Sequence, residues 1–520
     1  MPSIRAAFDR ATLTFFGVLL VLTAARIFSL QLNPFGLYFD EAQYWTWSRA
    51  FDWGYFTKPP LIAWVIGATT AVFGDAEWAV RLGAPLAHAI AGTSIFLLGR
   101  HMYGAAAGAW AGIGYLTLPG IFFSSFIIST DALLLPLWSI ALLATWRLMT
   151  TRAGAWAVVL GLAVGLGVLA KYAMLYFVLC TAMAAWLLPP MREALKGGRA
   201  IIASVIAIAV VTPNIIWNVN NGFATARHTI DNGRFGAADL FNLDELSEFV
   251  FGQASVLGPV MFILLFVIGW VAWRRSSGLT DQDKFLISYI LPPFLFVSAI
   301  AFISRANVNW VAVAYPAAVV WFTGSMLAAA KGRRWVWASF LVNSAIGLAA
   351  AYVLTAMPET ATRFKGVRTA IAWEETAELI AERARPQPGE APFTAILVDD
   401  RTAYFELAYY WREERRAGEP LPPVRMWLLY GEAHNSAEAS DPMRAEEGGR
   451  VLVVHEDSRT GGIGESIAAI VQEEAFEWLD APVRVLGALD TPVPFAPPLE
   501  EQYLVSEAEI LQAARLLAAY

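Results

Sequence analysis

The sequence predicts an all-α polytopic membrane protein of about eleven transmembrane helices, followed by a C-terminal soluble α/β domain. The 520 residues are 57% hydrophobic and only 16% charged, whereas ordinary soluble domains carry roughly 25% charge. The apolar excess ends near residue 356, and the remainder has the composition of a soluble domain. We therefore predict a membrane domain over 1–356 and a soluble domain over 357–520.

The charges divide at the same point. From Met357 onward there are 29 Asp and Glu residues against 15 Lys and Arg, whereas the preceding part has 15 against 22. The net charge of −7 thus combines a basic membrane part of +7 with an acidic tail of −14. This pattern gives no indication of a nucleic-acid partner. The single cysteine, Cys180, excludes a disulfide or a thiolate metal site within the chain.

A helix needs about 20 apolar residues to cross a bilayer. Hydropathy predicts spans at 11–30, 79–98, 105–123, 132–149, 155–170, 173–188, 200–216, 254–272, 285–302, 310–328 and 335–355. The first is expected to be a retained span and not a cleaved signal peptide. The apolar segment 60–73 is too short to span and suits a helix lying at the membrane surface.

Basic residues predict the orientation of these spans. With the N-terminus inside, the inner loops collect 14 Lys and Arg residues and the outer side keeps eight, as the positive-inside rule requires. The tail and the long loops 31–78 and 217–253 then face outward. In the tail, the apolar runs 393–400 and 450–457 alternate with helical stretches at 370–385 and 465–479, which predicts an α/β domain.

An acid pair, Asp40 and Glu41, follows the first span. Asp40 is the N-cap of a surface helix that starts near Glu41, or a general base at the edge of the low-dielectric region, where carboxyl pKa values are easily raised, and both roles can hold at once. The nearby Tyr44 is expected at the membrane surface. In the tail, Asp399 and Asp400 follow an apolar run and predict a turn or a helix cap.

Several cations and one further acid lie in the outer loops. Lys58 precedes a double proline, which favours an extended backbone there; it either reaches lipid headgroups or holds a phosphate. The fourth span is capped by Thr130 or by Asp131, or else Asp131 is a further acid of a catalytic site. Lys171 is a loop lysine or a second anion contact. Arg305, close to Asn307, contacts the phosphate of a lipid headgroup or the phosphate of a substrate that is anchored in lipid.

An ordered set of motifs resembles a known family. These motifs are FDEAQYW, FTKPPLIAW, FGDAEWAVRLGAPLAH, LLGRHMYG, STDALLLPLW, GLAVGLGVLAKYA, PNIIWNVNNGFATARHT and ANVNWVAVAYP. Together they resemble the bacterial branch of the protein-mannosyltransferase clan, which consists of glycosyltransferases of the GT-C fold. That branch includes the transferase that adds aminoarabinose to lipid A and the rhizobial transferases that add galacturonic acid to lipopolysaccharide. The resemblance covers the whole membrane part.

The resemblance implies that a sugar carried on a polyprenyl phosphate binds in a cavity open to the outer leaflet. It implies that Asp40 is the base, with Glu41 as its paired acid and Asp131 as the acid of the second outer turn. It also implies that Lys58 contacts the donor phosphate, a role in which Arg305 and Lys171 are further candidates. The candidate substrate-binding residues are Tyr44, Arg81, Arg227, His228 and Asn307.

Two positions depart from the aminoarabinose branch. Thr57 stands where that branch usually has an acid before the lysine, and Gln43 stands where it usually has arginine. Both departures argue against an aminoarabinose donor and against a metal held by that acid. No cofactor is predicted with certainty, and a divalent metal stays open.

The expected function is that of an inverting glycosyltransferase in a bacterial inner membrane. It would move a sugar from a polyprenyl-phosphate donor to lipid A, lipopolysaccharide or another envelope glycolipid at the periplasmic face. The nearest alternative is protein O-mannosylation on the same fold. A transporter of lipid-linked sugars would need polar groups on both faces, whereas here they cluster outside. A non-catalytic receptor is the third alternative. The main expectation requires that the acid pair and Lys58 meet in one external pocket.

Overall fold

The computed structural model describes residues 9–225, 241–275, 278–363, 365–386, 392–428, 433–444, 447 and 449–520. The described chain forms two compact units. The first contains the residues up to Phe35 together with 47–368, and the second contains 36–46 together with 369–520. The short segment 36–46 therefore groups with the tail and not with the helices that flank it in sequence. The predicted boundary at 356/357 stays a prediction.

Helices make up the first unit. In chain order, with α2 included, they are α1 (Arg10–Gln31), α2 (Phe39–Ser48), α3 (Leu61–Phe73), α4 (Glu77–Arg81), α5 (Gly83–Tyr103), α6 (Ala105–Leu116), α7 (Pro119–Ser124), α8 (Thr130–Thr151), α9 (Gly154–Ala170), α10 (Tyr176–Leu187), α11 (Pro189–Leu195), α12 (Arg199–Asn220), α13 (Leu243–Leu257), α14 (Pro259–Arg274), α15 (Asp281–Ile303), α16 (Tyr315–Ala328), α17 (Arg333–Ala356), α18 (Pro358–Ala361) and α19 (Lys365–Arg368). Two 3-10 helices cover Tyr172–Leu175 and Val308–Ala314.

The predicted membrane class is confirmed, and the count of long spans is smaller than the expected eleven. In the described ranges, seven helical stretches are long and apolar enough to cross a membrane, or eight if the bent pair α13–α14 is one span. The predicted span 105–123 is divided between α6 and α7, while 155–170 and 173–188 fall on shorter apolar helices. The predicted surface helix is α3, which has 13 residues.

The predicted continuous span 254–272 is wrong, because the chain bends by 113° between α13 and α14. Gly258 lies at the bend with φ of +84°, in the left-handed region that side chains rarely adopt. A Cβ at that position would also collide with the side chain of Asn343. Pro259 then starts α14, where its missing N–H costs no hydrogen bond. The Gly-Pro pair thus ends one helix and begins the next.

Close helix packing holds the centre of the first unit together. Helix α5 packs against α6 and α8, and α9 packs against α8 and α12. At Gly108 on α6, an added Cβ would lie 2.5 Å from the backbone oxygen of Phe96 on α5. Small residues permit this close approach, which lets membrane helices gain dispersion contacts where lipid removes the hydrophobic driving force.

The second unit has the predicted α/β character. Its helices, apart from α2, are α20 (Trp373–Ala384), α21 (Arg401–Tyr410), α22 (Arg412–Arg416), α23 (Ser436–Ser440), α24 (Ile463–Glu474), α25 (Pro497–Tyr503) and α26 (Glu507–Ala518), and a 3-10 helix covers Phe476–Trp478. The strands are β1 (Ile396–Val398), β2 (Val424–Met426), β3 (Leu452–Ser458) and β4 (Arg484–Ala488). The predicted strands at 393–400 and 450–457 correspond to β1 and β3.

The strands form two parallel pairs. β1 pairs with β2, Ile396 lying opposite Val424, and β3 pairs with β4, Leu452 lying opposite Arg484. Each pair is connected through helices, as parallel pairing requires. Residues of α24 and of the β3 region, including Val453, Ile467 and Val471, form a buried apolar core.

Candidate functional site

An ion pair joins two of the predicted site residues at one end of the first unit. Lys171 Nζ lies 2.7 Å from Oδ1 and 2.9 Å from Oδ2 of Asp131. Asn309 Nδ2 donates to Asp131 Oδ2 at 2.8 Å. The side chains of Asp131 and Lys171 are 16% and 24% exposed. Asp131 does not cap α8, because Ser129 Oγ accepts the Ala132 N–H at 3.2 Å. The capping interpretation of Asp131 and of Thr130 is therefore wrong.

A separate hydrogen-bonded network begins at the residue that follows Lys171 and reaches the loop after α2. Tyr172, next to Lys171, donates its hydroxyl to Asn214 Oδ1 at 3.0 Å and accepts from Asn218 Nδ2 at 3.1 Å. Asn214 Nδ2 donates to the backbone oxygen of Trp53 at 2.7 Å. These contacts fix the loop to the C-terminal end of α12.

A second set of contacts holds the same loop. Trp217 Nε1 donates to Asp52 Oδ2 at 2.7 Å. The rings of Trp47 and Tyr55 stack at 4.9 Å, and the Tyr55 hydroxyl donates to the backbone oxygen of Ala50 at 2.9 Å. Burial raises the pKa of Tyr55 to about 12, so its hydroxyl stays protonated and available as a donor. The loop is therefore rigidly supported.

Lys58 lies at the end of this supported loop, directly before Pro59, Pro60 and the first residue of α3. Its side chain is half-buried, and its backbone oxygen accepts the Tyr55 N–H at 3.2 Å. The backbone around Lys58 is thus fixed by the aromatic loop on one side and by the two prolines on the other.

The remaining predicted residues of the first unit have different surroundings. Arg305 and Asn307 lie in the exposed turn between α15 and the 3-10 helix that carries Asn309. Arg81 is only 2% exposed, and its Nη1 donates to the backbone oxygen of Phe35 at 3.2 Å. That contact supports the chain at the start of the outer loop. Arg227 and His228 lie outside the described residues.

The acid pair lies on α2, within the second unit. The helix begins at Phe39, so Asp40 is in its first turn and does not cap it. The capping contact comes from Glu41, whose Oε2 accepts the Tyr38 N–H at 3.0 Å. The N-cap interpretation of Asp40 is therefore wrong. Glu41 is 1% exposed, so the two adjacent acids have separate environments.

Residues of the tail surround the acid pair. Arg401 Nη2 lies 3.6 Å from Asp40 Oδ1, and Arg401 Nη1 donates to Gln43 Oε1 at 3.3 Å. Burial, together with the Asp40 charge, raises the pKa of the Tyr38 phenol. Tyr44, predicted to bind substrate at the membrane surface, is buried at 4% exposure. Asp40 belongs to the second unit and Lys58 to the first, and their meeting in one pocket stays a prediction.

A large apolar cavity of about 800 Å³ lies in the first unit. It is bounded by α14, α15 and α16, and its lining includes Leu265, Trp270, Ile290, Phe294, Tyr315 and Trp321. The Tyr315 hydroxyl donates to Gln253 Oε1 at 2.6 Å, and Gln253 Nε2 donates to the backbone oxygen of Val308 at 3.2 Å. Because these polar groups pair with each other, the cavity wall is available to a hydrocarbon chain.

No group of three or more His, Cys, Asp or Glu side chains with metal-binding geometry occurs in the part of the chain that the structure describes.

Two features were missed from the sequence. Asn214 and Asn218 lie in the motif PNIIWNVNNGFATARHT, and the signal that could have found them is their spacing of four residues, which places both on one face of α12. Arg401 directly follows Asp399 and Asp400 in the sequence, and no sequence pattern assigns it a role. Arg401 and Asp40 are more than 300 residues apart in sequence, and no local pattern indicates a contact between them.

Comparisons with known proteins bear on both units. Residues 57–217 match a family model described as dolichyl-phosphate-mannose-protein mannosyltransferase. The chain is 38% identical over 308 residues to the lipid A galacturonosyltransferase RgtD of Rhizobium johnstonii, a match that covers 58% of this chain and 64% of that relative. The chain thus aligns with slightly less than two thirds of the length of that relative.

Residues 440–510 match a different family model, described as transketolase, C-terminal domain. A curated relative of this segment is the pyruvate dehydrogenase E1 component subunit beta of Staurastrum punctulatum, 46% identical over 68 residues. That match covers 13% of this chain and 21% of the relative. This relationship of the tail was not predicted from the sequence.

Solved structures establish the fold. The structure of ArnT from Cupriavidus metallidurans bound to undecaprenyl phosphate superposes with a TM-score of 0.54 at 17% identity, covering 80% of this chain and 85% of that one. The apo form gives a TM-score of 0.52 and covers 82% and 86%. The chain is therefore a multi-pass membrane protein with the GT-C fold. The matches to the mannosyltransferase family model and to RgtD agree with the resemblance inferred from the motifs.

Proposed function

We propose that this chain is an inverting glycosyltransferase of a bacterial inner membrane. It moves a sugar from a polyprenyl-phosphate donor to a hydroxyl of lipid A, lipopolysaccharide or another envelope glycolipid at the periplasmic face. The observation that carries the proposal is the set of charged residues at one end of the first unit. There, the Asp131–Lys171 pair is connected through Tyr172 and Asn214 to the loop that ends at Lys58.

The proposed reaction is a single displacement. The acceptor hydroxyl oxygen attacks the anomeric carbon, and the bond between that carbon and the phosphate oxygen breaks. Its electron pair leaves with the polyprenyl phosphate, and the hydroxyl proton passes to the Asp40 carboxylate. Attack opposite the leaving group inverts the configuration at the anomeric carbon.

The cations of the first unit stabilise the departing phosphate in this proposal. Lys58 has a fixed backbone and a half-buried side chain, and Arg305 lies in an exposed turn at the same end of the unit. Fixed positive charges of this kind stabilise the negative charge that grows on the leaving oxygen. Lys171 is already bound to Asp131, so its role is to orient that carboxylate. The apolar cavity holds part of the polyprenyl chain.

The name of the relative RgtD suggests the sugar and the acceptor. We infer that galacturonic acid and lipid A are the first pair to test, and the departures at Gln43 and Thr57 agree with a donor other than aminoarabinose. The description of the matched family model favours one second candidate, a mannosyl donor with a protein acceptor.

A transfer assay tests the proposal. Purified full chain in detergent is given a labelled polyprenyl-phosphate uronic acid with lipid A, and in parallel a polyprenyl-phosphate mannose with envelope protein. The proposal predicts labelled lipid A with inverted anomeric configuration. Labelled protein alone would favour the second candidate, and no transfer in either arm would contradict the proposed enzyme. Detergent removes the two sides of a membrane, so transport cannot imitate the product.

A further inference from the structure

The first residue of α21 connects the tail to the proposed base. Arg401 Nη2 lies 3.6 Å from Asp40 Oδ1, and the two side chains are 31% and 36% exposed. The Arg401 guanidinium carbon also lies 4.7 Å from the centroid of the Phe39 ring. Asp400 caps α21 by accepting the Thr402 N–H at 2.9 Å, as its position after an apolar run predicts. The capped helix thereby fixes the backbone from which Arg401 extends.

Other side chains of the tail hold the same segment in place. Gln43 is fully buried, and its Nε2 donates to Ser436 Oγ at 2.5 Å. The Leu37 N–H donates to the Tyr410 hydroxyl at 3.1 Å. The Trp45 and Tyr409 rings make an edge contact at 5.0 Å. Three kinds of contact therefore fix residues 37–45 within the second unit, and Arg401 contacts the same segment through Phe39, Asp40 and Gln43.

We propose that Arg401 is a positioning residue for Asp40, and that the second unit is for this reason required for transfer. This inference rests on the proposed function, which makes Asp40 the base. A carboxylate must be ionised before it can accept the hydroxyl proton, and a fixed guanidinium favours the ionised form. Arg401 also restricts the direction of the carboxylate through its contacts with Phe39 and Gln43.

The charges around Asp40 make the effect of Arg401 measurable. Glu41 lies beside it on α2, Tyr38 directly precedes that helix, and Asp400 and Arg401 stand at the start of α21, which also carries the buried Glu406. Glu41 and Asp400 are acidic, and each already caps a helix. Arg401 is a cation 3.6 Å from the Asp40 carboxylate, so its removal takes away one positive charge that favours the ionised form of Asp40. The direction of the change in the pH dependence follows from this arrangement.

The test compares Arg401→Gln and Arg401→Lys with the wild-type chain across pH. We expect Arg401→Gln to shift the acidic limb of the kcat/KM profile upward by about 0.5 to 1 unit, the Coulomb effect of one charge at this distance in a largely solvated setting. In Arg401→Lys, which keeps the positive charge, the acidic limb should lie close to its wild-type position on the pH axis. The control is Arg385→Gln, which removes an exposed pair with Glu419 in the same unit and should leave the profile unchanged. An unshifted limb in Arg401→Gln would overturn the proposal.

A second measurement is independent of activity. Hydrogen–deuterium exchange of peptides that cover residues 36–46 should become at least several-fold faster in Arg401→Gln, and Arg385→Gln should not change it. If the wild-type chain transfers no sugar, the proposed function fails, and the exchange result still shows whether Arg401 holds the segment. Unchanged exchange in Arg401→Gln would overturn the positioning role even in an active enzyme.

Discussion

At the scale of single residues, the Asp131–Lys171 pair is the contact with the clearest consequence. Its side chains are neither exposed, where such pairs contribute about 0 to 1 kcal/mol, nor fully buried, where losing one partner costs about 3 to 5 kcal/mol. Asn309 fills one further acceptor position of the carboxylate. Removal of the lysine charge would leave a half-buried carboxylate with one neutral donor.

We expect Lys171→Met to reduce transfer by about 10- to 100-fold, because the freed carboxylate loses about 1.4 to 3 kcal/mol of stabilisation. Asp131→Asn should cause a loss of similar size, and the double variant should be no worse than the poorer single variant. The measurement is kcat/KM of the three variants. Lys196→Met is the matched control, since its pair with Glu193 is exposed. Additive losses in the double variant would contradict a shared role.

At the scale of elements, the C-terminal end of α12 determines where the loop before Lys58 lies. Asn214 contacts the Trp53 backbone and the Tyr172 hydroxyl, so one side chain joins the loop to the residue that follows Lys171. Buried donors and acceptors that lose their partner cost about 1 to 3 kcal/mol each. A variant that breaks this connection should therefore act on substrate binding while leaving the charged residues themselves unchanged.

Asn214→Leu should raise the KM for the polyprenyl-phosphate donor by about tenfold, since roughly 1.4 kcal/mol of loop stabilisation is lost. The effect on kcat should be smaller, because no reacting group changes. Asn221→Leu is the control, as the Asn221 side chain donates to the Trp217 backbone oxygen on its own helix and is exposed. Equal effects of the two substitutions would contradict the role given to Asn214.

The bend at Gly258 separates α13 from α14, which forms one wall of the apolar cavity. Gly269 lines that cavity on α14, and an added Cβ would lie 3.9 Å from the Trp321 ring, an ordinary contact. Alanine is therefore tolerated at this position, whereas a large side chain would enter the cavity.

Gly269→Phe should weaken transfer from a long polyprenyl-phosphate donor by about tenfold, because the phenyl ring fills space that the proposal assigns to the polyprenyl chain. Each CH₂ of the donor that is no longer buried loses about 0.8 kcal/mol of binding free energy. Transfer from a donor with a short prenyl chain should change little. Gly269→Ala is the control for both donors. A loss of equal size for long and short donors would show that the cavity does not hold the chain.

At the scale of the whole molecule, the sequence was sufficient to predict the fold class and the order of the membrane part and the α/β tail. Long apolar segments and a change in charge near 356 predicted the membrane helices and the α/β tail, because burial in lipid and burial in a soluble core need different compositions. The apolar segment 60–73 was correctly expected to form a short helix, which is α3. Asp400 was correctly expected at a turn or helix cap.

The remaining features depend on contacts between distant residues. Both capping assignments, for Asp40 and Asp131, were wrong because the helices begin one or two residues earlier than their acids suggested. Hydropathy alone predicts a continuous span over 254–272, whereas the Gly258–Pro259 pair ends one helix and begins the next. The grouping of residues 36–46 with the tail, and the contact of Arg401 with Asp40, arise from tertiary packing that local periodicity does not encode.

The most direct measurement is sugar transfer by the purified wild-type chain compared with Asp40→Asn. Asparagine keeps the size of the side chain and loses its ability to take a proton. We predict that the wild-type chain transfers the labelled sugar, and that Asp40→Asn loses at least 100-fold in kcat, the scale of a general base, while still binding the donor. Near wild-type transfer by Asp40→Asn would contradict the account.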